Sequence, residues 1–182
     1  ELATARSQRA INDCADLCEA IVLPVVRMLM ALHQEGFALT VHNASEVWLK
    51  EDGQVWLLDC PLQAHDESSD VYQVTPSFSP PEAYGRCGGS LGPKADVFFI
   101  GMILYHCLTR VPVPSTVGLV HDRLPAPSLF HPRIQPELEA VTKRATSLIP
   151  EYRYRDAAKL MHAIEWALQL ERKRTTPQAP LK

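Results

Sequence analysis

The chemistry of five cysteines, Cys14, Cys18, Cys60, Cys87 and Cys107, can be weighed before anything is known of the fold. Their odd number and irregular spacing argue against a disulfide framework and point to a reducing compartment such as the cytoplasm. Cys14 and Cys18 stand one helical turn apart, a spacing at which two thiolates could share a metal. The ordinary alternative is a pair of small buried hydrophobes. On a broader scale, 18 Lys and Arg against 21 Asp and Glu give a formal charge of −3. That is no electrostatic footprint for nucleic acid or an anionic membrane. No apolar run reaches the roughly 18 residues that a membrane-spanning helix needs; the longest, from Ala20 to Met30, is interrupted by Pro24 and Arg27. The other reactive groups, among them His42, Glu46, Asp59, Glu82, Asp96 and Arg153, are scattered along the chain. Their meaning depends on the elements that bring them together.

Those elements follow from periodicity. Leu17, Ile21, Val25, Leu29 and Leu32 recur at intervals of three and four, which predicts a helix over residues 12–33 with Asn12 or Asp13 as its cap. Pro24 lies inside it and predicts a kink or break; Gly36 ends it. Two short β runs, Glu46–Lys50 and Gln54–Leu58, flank Asp52-Gly53 and predict a hairpin over 46–58. Residues 60–81 read as loop. Residues 93–109 are apolar on nearly every face, which predicts a buried central helix. A Pro-rich loop over 110–135 precedes a helix opened by Pro136 and running to about Ser147. A last helix, capped by Asp156, runs to about Arg172, and 175–182 form a tail. With 46% hydrophobic residues and no internal linker, residues 1–174 read as one mainly helical unit.

Three segments then fall into a recognisable order. They are Thr75-Pro76-Ser77-Phe78-Ser79-Pro80-Pro81-Glu82, Asp96-Val97-Phe98-Phe99-Ile100-Gly101, and Pro150-Glu151-Tyr152-Arg153. The chain resembles the C-terminal lobe of eukaryotic-type protein kinases, which carries T-P-x-Y-x-A-P-E, D-V-W-S-L-G and D-P-x-x-R in that order. The resemblance implies a helical bundle around a buried central helix, with a small β-hairpin. No G-x-G-x-x-G and no V-A-I-K occurs, so the small N-terminal lobe of that family is absent from these 182 residues.

Leu32-His33, Gly36 and Asp52-Gly53 align the family's catalytic loop with residues 37–46 without a gap. The resemblance then places the proton-accepting Asp at Val41, the phosphate-steadying Lys at Asn43, the metal-binding Asn at Glu46 and the loop Arg at Thr40. The D-F-G segment becomes Asp59-Cys60-Pro61, keeping the Mg²⁺ ligand and losing the Phe and Gly. Asp59 and Glu46 could bring two carboxylates to one hard cation. The neighbouring His42 reads as a packed or solvated loop residue rather than a substitute base. The family's architectural residues survive: Asp96, which holds the catalytic-loop backbone, and Glu82, which ion-pairs with Arg153. On this division the chain is expected to be a pseudokinase, not an enzyme, without cofactor. It would bind a protein partner, such as an active kinase or a larger assembly, and neither nucleic acid nor membrane. The alternative is a divergent ATP- and Mg²⁺-dependent kinase or transferase whose small lobe lies outside the chain. The activation-segment-like loop 60–82 and the Pro-rich loop form the expected partner surface, with Leu124 and Phe130 its apolar members.

Overall fold

A computed structural model describes residues 14–40, 42–50, 52, 54–58, 61–64, 74–84, 91–115 and 124–175. The chain turns helical at α1 (Cys14–Leu17), widens into a π turn (Cys18–Val22) and continues as α2 (Leu23–Gln34). Two short antiparallel pairs follow. β1 (Phe37–Leu39) pairs with β4 (Leu62–Ala64), and β2 (Val47–Leu49) pairs with β3 (Val55–Leu57). The helices α3 (Pro93–Thr109), α4 (Pro136–Ala145) and α5 (Ala157–Thr175) complete the fold.

The expected kink at Pro24 takes a particular form. Proline lacks an amide hydrogen, and its ring collides with the carbonyl four residues back. The chain accommodates this with the π turn just ahead of it, in which the Leu23 amide donates to the Cys18 carbonyl, five residues back. Both flanking residues, Leu17 and Val22, keep right-handed helical angles, so the helix does not break. At its other end Gly36 takes φ +84, the left-handed conformation that glycine adopts without a side-chain clash.

α3 is the core. Every residue from Ala95 to Tyr105 is buried, and α2, α4 and α5 pack around it. Gly101 permits the closest approach: a Cβ there would lie 2.8 Å from Ala145 Cβ and 2.9 Å from Thr146 Cγ2. The hairpin is shorter than its predicted runs, because Glu46 lies in a 3-10 turn (Ala44–Glu46) rather than a strand. Its register pairs Val47 with Leu57, Trp48 with Trp56 and Leu49 with Val55. The β1–β4 pair lies within segments read as loop. Three-residue strands are too short to show alternation, and their pairing is long-range. The predicted cap at Asn12 or Asp13 and the tail 176–182 lie outside the described residues.

Candidate active site

The site is organised by one buried anion. Pro93 opens α3, and Asp96 sits in its first turn, fully buried. A carboxylate out of water must be hydrogen-bonded or it neutralises. Asp96 accepts from the Leu39 amide at 3.2 and 3.3 Å, from His33 Nε2 at 2.9 Å and from His42 Nε2 at 2.8 Å. His33 Nδ1 in turn accepts the Ala157 amide at 3.2 Å. An imidazole nitrogen that accepts carries no proton, so His33 is the Nε2–H tautomer and donates to Asp96. Burial alone would push the Asp96 carboxyl up. The hydrogen bonds from His33 and His42 outweigh burial and hold it below the ordinary carboxylate range. Four parts of the chain thus meet at Asp96: the end of α2, the loop 37–42, α3 and, through His33, the start of α5.

The loop positions aligned with catalysis are also held. The Thr40 amide and hydroxyl both donate to the Pro61 carbonyl, at 3.1 and 3.0 Å. Asn43 caps the 3-10 turn by accepting the Ser45 amide at 3.1 Å, and its Nδ2 donates to Glu46 Oε1 at 3.3 Å. The half-buried Glu46 accepts the Leu58 amide on its backbone carbonyl at 2.9 Å. Val41 and Asp59 lie outside the described residues, and with them the geometry between Asp59 and Glu46. Glu46 is a hard oxygen donor of the type Mg²⁺ prefers, and the Asn43 amide is hydrogen-bonded to it.

His42 is not poised as a base. Its side chain is buried, its Nε2 is committed to Asp96, and its ring edge meets Phe99 at a centroid distance of 5.6 Å. Its carbonyl accepts the Thr75 hydroxyl, which ties the catalytic-loop backbone to the segment 75–82. That segment is itself a knot around Thr75. The Thr75 carbonyl accepts the Ser79 amide at 3.1 Å, and the Thr75 amide donates to Ser79 Oγ at 2.8 Å. Sequence reading missed both the convergence of His33 and His42 on one carboxylate and the Thr75–His42 link. The only available signal was the His33 used to anchor the alignment.

The structure brings Glu82 and Arg153 together across 71 residues of chain. Arg153 Nη1 donates to Glu82 Oε1 at 2.6 Å, and Nη2 to Oε2 at 2.8 Å. Both side chains are essentially sealed from water. The remaining guanidinium hydrogens reach the carbonyls of Ser147 at 2.7 Å and Lys94 at 2.9 Å, while the planar group lies 4.8 Å from the Phe98 ring centroid.

The apolar residues expected on a partner surface stand in different surroundings. Leu124, expected on a partner surface, is half-buried and packs against Phe98 and Met102, so it covers the core; the Leu side chain follows the larger buried apolar area. Phe130 is 39% exposed and its neighbour Leu129 75% exposed, so that end of the loop does face solvent. Cys18 is a buried thiol, and burial pushes it well up, as for a small hydrophobe. Among the described residues no group of three or more metal-binding side chains occurs, and no helix is long and apolar enough to cross a membrane.

No protein-family model matches the chain. Several curated proteins do. A probable serine/threonine-protein kinase of Streptomyces coelicolor is 26% identical over 163 residues, covering 81% of this chain and 24% of its own length. Serine/threonine-protein kinase PknB of Mycolicibacterium smegmatis is 26% identical over 169 residues, covering 84% and 25%. PknB of Mycobacterium leprae is 29% identical over 167 residues, with the same coverage of 84% and 25%. The chain spans about a quarter of the length of these relatives. The expectation that the chain is no enzyme, drawn from Val41 and Asn43, is overturned by these similarities, which are to named kinases over more than four-fifths of the chain. The inference from two replaced residues overweighted proton transfer, because phosphoryl transfer depends chiefly on positioning and electrostatic stabilisation.

Proposed function

We propose that the chain, similar to named serine/threonine-protein kinases over more than four-fifths of its length, is the large lobe of a divergent ATP-dependent serine/threonine phosphotransferase, working with a small lobe outside these 182 residues. The observation that carries this reading is the Asp96 hub. It fixes the loop 37–42 against α3, and through His42 and Thr75 it fixes the segment 75–82 against the same loop. A rigid loop beside a rigid substrate-facing segment is what in-line transfer needs, since orientation supplies most of the rate.

A second observation supports it. Phe37, Trp48, Trp56, Leu58 and Leu62 are all large, apolar and 39–49% exposed, and all lie on the four strands or beside them. Exposed large apolar side chains on short strand pairs suit cover by a second unit. A small lobe seated there would cover them and close a cleft over Glu46. Bound Mg²⁺ would offset the charge of the transferring phosphate. Glu46 and Asp59 are the carboxylates proposed to hold it, with Asn43 orienting Glu46. Leu129 and Phe130 supply an apolar contact for a protein substrate or partner.

Val41 cannot take the proton of the substrate hydroxyl. A positioned base contributes about 10²–10⁴ in rate, and protein kinases turn over at about 1–100 per second. The expected turnover is therefore about 10⁻⁴–1 per second. The test is transfer from γ-labelled ATP to a serine- and threonine-containing protein by the full-length protein carrying both lobes. Mg²⁺-dependent transfer in this range, abolished in Asp59→Ala, supports the reading. Transfer below the range, or transfer that Asp59→Ala leaves intact, sinks it.

A further inference from the structure

Far from that site, α4 and α5 leave a groove of about 410 Å³ between them. Ala140, Val141, Ala163, Tyr154 and Trp166 line it. Alanines at facing positions open the depression: larger side chains there would interdigitate and fill it. Trp166 leaves 57% of its surface to water beside it. A large aromatic left exposed at the edge of an apolar concavity has the anatomy of a binding site.

Charge selects the occupant. The Arg144 guanidinium lies 4.4 Å above the Tyr154 ring, a cation–π contact at the groove. Among the described residues no carboxylate pairs with Arg144, and the adjacent Lys143 is also exposed. The groove's own carboxylate, Glu137, is already neutralised: Arg174 donates to it twice, at 2.6 and 2.8 Å. The lining therefore offers one solvent-exposed guanidinium, without a carboxylate partner among the described residues, beside an apolar trough. A guanidinium in a fixed orientation suits a carboxylate, to which it can donate two parallel hydrogen bonds.

We propose that the α4–α5 groove docks an acidic peptide segment, seating one large apolar side chain over Ala140 and Ala163 and a neighbouring carboxylate on Arg144. This does not rest on the phosphotransfer reading, since the groove shares no residue with the Asp96 hub or with Glu46.

The probe is a displayed library of random heptapeptides, selected on the full chain and counter-selected on its Ala163→Trp variant, in which the trough is filled. Peptides that depend on the groove are expected to carry Asp or Glu within two positions of Phe, Leu or Trp. The best of them, labelled with fluorescein, should bind at least tenfold more weakly to Arg144→Glu in a polarisation assay, and its affinity should fall with salt. Arg144 is exposed, so this variant folds independently of the Ala163 result, and its melting curve checks that. Groove-dependent peptides that are neutral or basic would overturn the proposal, as would the recovery of none. An acidic peptide indifferent to Arg144→Glu would do the same. A dimer seen by sedimentation and dissolved by Ala163→Trp would assign the groove to a second copy of this chain instead.

Discussion

Removing Arg153 exposes how much of the lobe one buried ion pair holds together. In Arg153→Ala the Glu82 carboxylate, only 2% accessible, loses both of its donors at 2.6 and 2.8 Å. The carbonyls of Ser147 and Lys94 lose theirs at 2.7 and 2.9 Å. A buried charge left without its partner costs about 3–5 kcal/mol. In a domain of this size each kcal/mol moves the melting temperature by about 2–4 °C, so a drop of roughly 6–20 °C is expected. Glu82→Gln leaves the fully sealed Arg153 guanidinium without its counter-charge and should cost a similar amount, about 3–5 kcal/mol, although Arg153 keeps the Ser147 and Lys94 carbonyls. The double variant should lose well under the sum. Urea unfolding of the four proteins, read by circular dichroism, gives the cycle. A cost below about 1 kcal/mol for either single variant, or a double variant that loses the full sum of the two, would refute this account of the pair.

Three further outcomes follow from the packing and the buried charge. Gly101→Ala should destabilise by roughly 1–3 kcal/mol in thermal melts, because the new Cβ would meet Ala145 and Thr146 at under 3 Å; this outweighs the gain of about 1 kcal/mol that alanine brings to a helix interior. The Asp96 carboxyl titrates lower in the folded chain than its unfolded value of about 3.9. Its stabilisation is therefore fully present above about pH 4 and is lost as pH falls through the folded value. Asp96→Asn should be less stable than the parent at pH 7, and the gap should narrow in urea titrations taken from pH 5 down to pH 2. Leu124→Asp should cost about 1–3 kcal/mol by placing a charge against Phe98 and Met102, whereas Leu129→Asp, on a side chain 75% exposed, should change stability by no more than about 0.5 kcal/mol.

Sequence by itself determined the helices that carry the fold, because their signals are local. Apolar spacing marks α2, the continuous apolar run marks α3, and Pro136 opens α4 at its first residue. The Asp52-Gly53 turn marks the hairpin. It also named Glu82, Arg153 and Asp96, through motifs whose order along the chain is preserved. Tertiary structure decided what those residues touch. The resemblance implied that Asp96 holds the backbone of the loop, but nothing in residues 33 and 42 announces that two imidazoles converge on the same carboxylate more than 50 positions away. The reason is that a hydrogen bond across the core depends on backbone placement that no local period encodes. The β1–β4 pair was illegible for the same reason, and the π turn before Pro24 because it answers a clash that appears only once the helix is built. The side of Leu124 that meets water was likewise set by the position of α3, not by the apolar character of the loop. The α4–α5 groove is set by alanines on two helices that only folding brings face to face.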